Sequence, residues 1–262
     1  TAKNHSTRNQ GEIIMGNHNQ PFRIAILIRN GIYNALRVVK MSVPNVFGGT
    51  SLDYEIGIDL HTLRKVRMEK TMKAVKESGM DGFLLGSFDN LRYATAMRGM
   101  ASAFFAYWRG AVFVPKGAEP VLLIQSGNVK SRQLTMPWIK PENIRKCPWG
   151  IEKPGAAEYG VKKTIIPLLK EFGVPNDGKL GVDILPIRMH LTLKKEMPKL
   201  EIMDAFSVMQ NVRMIKHEEE IKCLKMAQAF TAIGHQYMFD NVRSGVTERQ
   251  VLYGCYDAMH RA

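Results

Sequence analysis

Along residues 62–78 the apolar positions Met68, Met72 and Val75 recur at spacings of four and three, set among Arg64, Lys65, Arg67, Lys70, Lys73 and Lys76. That period predicts a helix with one apolar stripe, ended by Gly79. Gly82-Phe83-Leu84-Leu85 follows as a short unbroken apolar run, which suits a buried strand. Ala111-Val112-Phe113-Val114 and Val121-Leu122-Leu123-Ile124 are β-prone runs. The Pro115–Pro120 segment between them is turn chemistry, so the pair predicts a hairpin. Residues 126–160 are rich in Pro and Gly and carry no clear period. Val161, Ile165, Leu168 and Phe172 restore the helical spacing, with Pro167 placed to kink or shorten that helix and Gly173 to end it. Leu180–Asp183 predicts another strand, Pro186 the first residue of a helix reaching about Glu196, and Leu200–Met203 a last strand. Up to about residue 205 this rhythm predicts an α/β domain, and the hairpin makes its sheet mixed.

The pattern then lengthens. Leu224, Ala227, Phe230, Ile233 and Tyr237 predict a long helix over 217–241, with Glu218, Glu219 and Glu220 in the first turn, where the helix dipole favours negative charge. Arg243–Val246 breaks it. Thr247 opens another helix, with Gln250 three residues on as a capping box. That helix still runs at Ala262. An apolar helical face without a partner is a poor end for a domain, so the pattern predicts a longer parent chain.

Composition narrows the class. The chain has 262 residues, 45% apolar and 23% charged, which are ordinary globular values. The net charge of +13 is uneven: residues 1–40 hold six basic residues and one acid, and the rest contributes +8. No Arg-rich run, aromatic RNA-binding strand or zinc finger accompanies the charge, so no specific nucleic-acid partner is expected. Residues 1–40 read as a poorly defined extension, with Met41 as a start. Ile24 to Val39 is interrupted by Arg29, Asn30, Asn34 and Arg37, so no membrane span is expected. Cys147, Cys223 and Cys255 are far apart and odd in number, which fits reduced thiols in a cytoplasmic protein.

The motif search yields no catalytic signature. No H-E-x-x-H, G-x-S-x-G or Walker loop is present. Asp257 and His260 lie three residues apart without further ligands in a metal-binding pattern, and Asp240 and His235 stand singly. No metal site is expected within the chain.

Three blocks carry a family resemblance. The first is Gly79-Met80-Asp81-Gly82-Phe83-Leu84-Leu85 with Asp89-Asn90-Leu91-Arg92-Tyr93, the second Arg109–Val114, and the third Arg213-Met214-Ile215-Lys216-His217-Glu218-Glu219-Glu220-Ile221. In this order they resemble the creatinase/prolidase/aminopeptidase P family over about residues 55–262, with Gly245-Val246-Thr247-Glu248 similar to a later glycine turn. The resemblance implies a creatinase-type N-terminal α/β domain over 41–205. It implies the start of a pita-bread catalytic domain over 206–262. The Asn90-x-x-Tyr93 stretch is expected as a turn, with both residues structural and only secondarily in contact with substrate.

The resemblance also implies where substrate would meet this domain. Creatinase-like members carry an arginine at the start of the second strand that binds the substrate carboxylate. Arg109 falls at the matching place, with Trp108 beside it. The stretch from Asn90 to Arg109 is longer than in creatinase, which makes Arg98 a rival. A guanidinium fork suits a carboxylate, and an aromatic neighbour shields the pair. The family implies a peptide or small amino-acid-like substrate and a homodimer. Its peptidases hold two divalent metals (Mn, Co or Zn) on Asp, Asp, His, Glu and Glu, expected beyond Ala262. The expected parent is a metal-dependent Xaa-Pro hydrolase. Creatinase, a dimethylsulfoniopropionate lyase-type member and an inactive peptide-binding relative are the alternatives.

Overall fold

The computed structural model describes residues 57–97, 110–124, 126–147 and 155–261. Among them six strands form one mixed sheet: β1 (Gly82–Leu85), β2 (Gly110–Pro115), β3 (Val121–Ile124), β4 (Ile144–Lys146), β5 (Lys179–Val182) and β6 (Glu201–Asp204). Their spatial order is β4-β3-β2-β1-β5-β6. The expected hairpin is present, with β2 antiparallel to both β3 and β1. The β3–β4, β1–β5 and β5–β6 pairs are parallel.

Successive strand side chains point to opposite faces, and both faces of this sheet are buried. Every residue of β1, β2 and β3 is buried, which explains their continuous apolar runs. Leu84, Ala111, Phe113 and Leu123 pack on one face. There they meet α4 (Ala156–Gly160), α5 (Ile166–Glu171) and α6 (Ile187–Glu196) through Ala157, Leu168, Leu169, Met189 and Leu193. Phe83, Leu85, Val112, Val114 and Leu122 pack on the other face. Here the cover is α1 (Leu60–Glu77), α2 (Phe88–Thr95) and α7 (Phe206–Met214), through Val75, Leu91, Tyr93 and Met209. Each fully buried aliphatic or aromatic side chain contributes about 1.5–3 kcal/mol. Where strands and rings crowd, only glycine fits: a Cβ on Gly181 would stand 2.6 Å from the Phe83 ring.

Three elements differ from the sequence expectation. The stretch expected as a turn at Asn90–Tyr93 is helix α2. Ser87 caps it, accepting from Asn90 N–H, and Asp89 sits in the first turn, where charge and dipole agree. The helix before Gly173 begins already at Ala156, and Val161–Ile165 within it is a π-helical turn in which Ile166 N–H reaches Val161 O. Pro167 lacks an N–H, so the ladder must re-space around it. Pro186 precedes its helix as the N-cap, and the first helical residue is Ile187. Residues 126–147, without period in the sequence, contribute α3 (Val129–Thr135) and β4.

The last two helices form an antiparallel pair. α8 (Glu218–Asn241) starts on a capping box between His217 and Glu220. α9 (Glu248–Arg261) starts on the expected one, in which Gln250 Oε1 accepts from Thr247 N–H at 2.9 Å. They pack closely where Gly234 meets Met259 and Gly254 meets Tyr237. α8 joins the sheet domain at its first turn: Glu219 accepts from Asp59 N–H at 2.7 Å. Lys222 beside Glu219, together with that N–H, holds its carboxyl below the usual carboxylate range. Further along, the pair leaves apolar side chains outward, with Phe239 84% exposed and Leu224 55%. Among the described residues no helix is long and apolar enough to cross a membrane.

Candidate functional site

The carboxyl ends of the parallel strands β1 and β5 lie side by side, and α2 leaves from this end of the sheet. A helix N-terminus at such a place attracts an anion. Here the chain supplies its own: the Asp183 carboxylate accepts from Gly86 N–H at 2.6 Å, Ser87 N–H at 3.2 Å and the Asn90 side-chain amide at 2.8 Å. Asn90 is fully buried and acts as the inner half of this latch. Its bond runs to Asp183 rather than to its own backbone, so the residue fixes α2 to β5.

The latch sets the direction of Tyr93, one turn further along α2. Tyr93 is only 5% exposed and lines a groove of about 620 Å³ between α1, α2, α7 and the start of α8. Arg67 of α1 places its guanidinium 5.2 Å from the Tyr93 ring centroid. The same guanidinium donates through Nε to Glu220 Oε1 at 2.9 Å, and Glu220 is 8% exposed in its side chain. Arg213 of α7 also lines the groove, 3.8 Å from Asp89 of α2. Arg64 stacks on Trp138 at 3.7 Å, and Trp138 Nε1 donates to Thr95 O, tying the groove rim to the end of α2. Two polar atoms of these walls are buried without a partner, the Tyr93 hydroxyl and Arg213 Nε.

Burial, and then the Glu220 charge, push the Tyr93 phenol up to about 12, against the opposing effect of Arg67 and Arg213. The phenol is therefore a proton donor at neutral pH. A folded-state value above the ordinary 10.0 means the folded chain holds this proton more tightly than the unfolded chain does. The associated stability is complete below pH about 10 and is lost as pH rises through about 12. Tyr93→Phe should show a smaller alkaline loss of urea-unfolding stability than the wild type across that window. Equal losses in both proteins would contradict the assignment.

Of the residues expected to meet substrate, the structure places Asn90 in the latch and Tyr93 on the groove wall. Arg98, Trp108 and Arg109 lie outside the described residues. Arg67, Arg213 and Glu220 belong to the groove although sequence reasoning gave them no site role. Arg67 and Glu220 are 153 residues apart, and no local pattern signals such a pair. Among the described residues no three His, Cys, Asp or Glu side chains converge to hold a metal ion. A divalent pair of the peptidase kind thus finds no ligand set on them, and no metal-dependent step is assigned to this chain.

Comparisons with known proteins agree with this architecture. Residues 67–215 match the Creatinase/Prolidase N-terminal domain. A creatinase of Bacillus sp. (strain B-0618) is 26% identical over 218 residues, covering 82% of this chain and 48% of its own length. Among solved structures, an Xaa-Pro dipeptidase from Bacillus anthracis superposes with a TM-score of 0.55 at 22% identity, over 76% of this chain and 49% of that one. A prolidase from Pyrococcus furiosus gives 0.53 at 19% identity, over 74% and 52%. The chain thus spans about half the length of these relatives. With its mixed sheet, its two helical layers and a match over more than half its length, the chain belongs to the creatinase/prolidase N-terminal domain family.

Proposed function

We propose that this chain is the N-terminal portion of a hydrolase that cleaves Xaa-Pro peptide bonds with the help of divalent metal. The observation that supports this reading is the family match over 67–215 in a chain that spans about half of its prolidase-like relatives. In such an enzyme the metals activate a water and polarise the scissile carbonyl. This chain's share is to cover and orient substrate. On the family resemblance Arg109 binds the substrate carboxylate, with Trp108 beside it and Arg98 as the alternative. The working form in this reading is a cytoplasmic homodimer.

A second reading is creatinase chemistry, metal-free hydrolysis of a C–N bond in creatine. The 26% identity to a creatinase over 82% of the chain favours it. One assay separates the readings. The 262-residue chain, purified and supplied with Mn²⁺, Co²⁺ or Zn²⁺, is expected to turn over neither Xaa-Pro dipeptides nor creatine. The polypeptide extended to its relatives' length is expected to cleave Xaa-Pro dipeptides in a metal-dependent way. Turnover by the 262-residue chain alone would overturn the assignment of catalysis elsewhere. Metal-independent creatine hydrolysis by the extended polypeptide would select the second reading.

A further inference from the structure

The two edges of the sheet differ. At β4 the chain guards its own edge: the Gln133 side-chain amide of α3 donates to Pro141 O at 2.8 Å and to Ile144 O at 3.4 Å. At β6 the outer side is open. Glu201 N–H donates to Gly178 O and Ala205 N–H to Val182 O, both toward β5. Alternate residues of a strand bond to opposite sides, so Glu201, Met203 and Ala205 serve the β5 ladder, while Ile202 and Asp204 turn N–H and C=O outward. Among the described residues nothing pairs with these outward groups. Such a row is a template for another strand. The usual defences are weak here. Residues 201–204 hold no Pro, and no bulge interrupts their register. Both charges are turned elsewhere: Glu201 faces Lys179 of β5 at 4.0 Å, and Asp204 accepts from Phe206 N–H at 2.7 Å.

The surroundings of the edge select its occupant. A lone peptide would use the backbone groups alone. Here both helical layers beside the edge carry uncovered apolar side chains. α6 is tied to the start of β6 by Lys194 Nζ, which donates to Leu200 O at 2.8 Å. One face of α6 leaves Ile187 68% and Leu191 61% exposed, one turn apart. α7 opens directly after β6 with Phe206, also exposed. The matching partner is a strand set between two helical layers, and a second copy of this chain presents one about a two-fold axis. In an antiparallel register centred on Met203, Ile202 of each copy faces Asp204 of the other. Every outward N–H then finds a carbonyl. No like charges are opposed in that ladder, because Glu201 meets Ala205.

We infer that two copies of this chain join through their β6 edges, making one continuous sheet of two six-stranded halves. The inference deepens the homodimer of the proposed function and rests on that reading only for the presence of a second copy. Analytical ultracentrifugation of the 262-residue chain is expected to give twice its 29.6 kDa mass. The expected Kd is on the order of 10 µM. Ile202→Pro removes an outward donor and spares the β5 ladder, so it should weaken association at least about tenfold with unchanged circular dichroism. Met203→Lys, which sets two ammonium groups face to face at the centre, serves if the proline variant unfolds. Register is tested by Met203→Cys in a Cys223→Ser background, where the remaining Cys147 and Cys255 are buried. Across a non-hydrogen-bonded pair the two Cα atoms stand about 4.5 Å apart, within disulfide reach. Mild oxidation should therefore cross-link Met203→Cys, while Glu201→Cys, at a more exposed position but opposite Ala205, should stay uncross-linked. Three outcomes would each overturn this interface. They are a single-copy mass at about 100 µM chain, wild-type affinity in a folded Ile202→Pro or Met203→Lys variant, and cross-linking of Glu201→Cys as readily as of Met203→Cys. Sedimentation of the polypeptide extended to its relatives' length, run alongside, tests the homodimer separately, and the Xaa-Pro and creatine assays do not depend on either result.

Discussion

Replacing Asp183 with alanine is expected to lower the thermal midpoint of the chain by about 6–12 °C, from a loss of roughly 3 kcal/mol. The carboxylate takes hydrogen bonds from Gly86 N–H, Ser87 N–H and the Asn90 amide. Hydrogen bonds to a charged acceptor contribute about 1.5–3 kcal/mol each, and a donor left dry costs about as much. Asp183 is only half-buried, so water recovers part of that sum. Asn90 has no such relief: it is fully buried, and its Oδ1 already lacks a partner. Asp183→Asn retains an acceptor and should fall between alanine and wild type. Faster amide exchange at Ser87 and Asn90 should accompany the loss, because the latch fixes the start of α2. An alanine variant that melts within about 2 °C of wild type would show that α2 is held by packing alone.

Phe113→Ala is expected to cost about 3–5 kcal/mol. Phe113 is fully buried in the central strand β2. It meets Phe172 edge-on at 5.8 Å between ring centroids, with the planes at 67°. Its ring also fills the space that the absent side chain of Gly82 leaves open, where a Cβ would approach to 2.7 Å. The backbone of β2 is pinned by β1 on one side and β3 on the other, so the cavity left by truncation has little room to collapse. Urea unfolding is the measurement: the midpoint should fall while the slope stays unchanged. Phe113→Leu, closer in volume, should cost less than about 1.5 kcal/mol. A loss below about 1 kcal/mol for the alanine variant would mean that this layer repacks freely.

Much of the scaffold was legible because its strands are buried on both faces. Phe83 to Leu85 and Val112 to Val114 are apolar without alternation, and Lys116–Pro120 between β2 and β3 announces the turn. Thr247 and Gln250 announced a helix start by a local bond that the structure contains. Helix α2 was hidden because Asp89 and Asn90 are turn formers by composition. Their value here is positional: Asp89 lies in the first turn, and Asn90 donates to a residue 93 positions away. The groove was hidden for a related reason. Arg213, Lys216 and Glu220 stood out as family markers on one continuous stretch. Arg67 looked like one cation among many on α1, and only the pairing of distant helices brings it to Glu220. The expected arginine candidates at Arg98 and Arg109 rest on resemblance alone.

The sheet's strand order has a consequence for assembly. β2 and β3 need only Lys116–Pro120 to close their ladder. Across the β1–β5 seam the contact between Lys179 N–H and Asp81 spans 98 residues. Loop closure costs more entropy the longer the loop, and parallel pairing returns it late. During synthesis β1 must therefore wait, with one edge uncovered, until the ribosome has released β5. The Asp183 latch forms in that same late event, so the N-terminus of α2 receives its anion only when the two halves of the sheet meet.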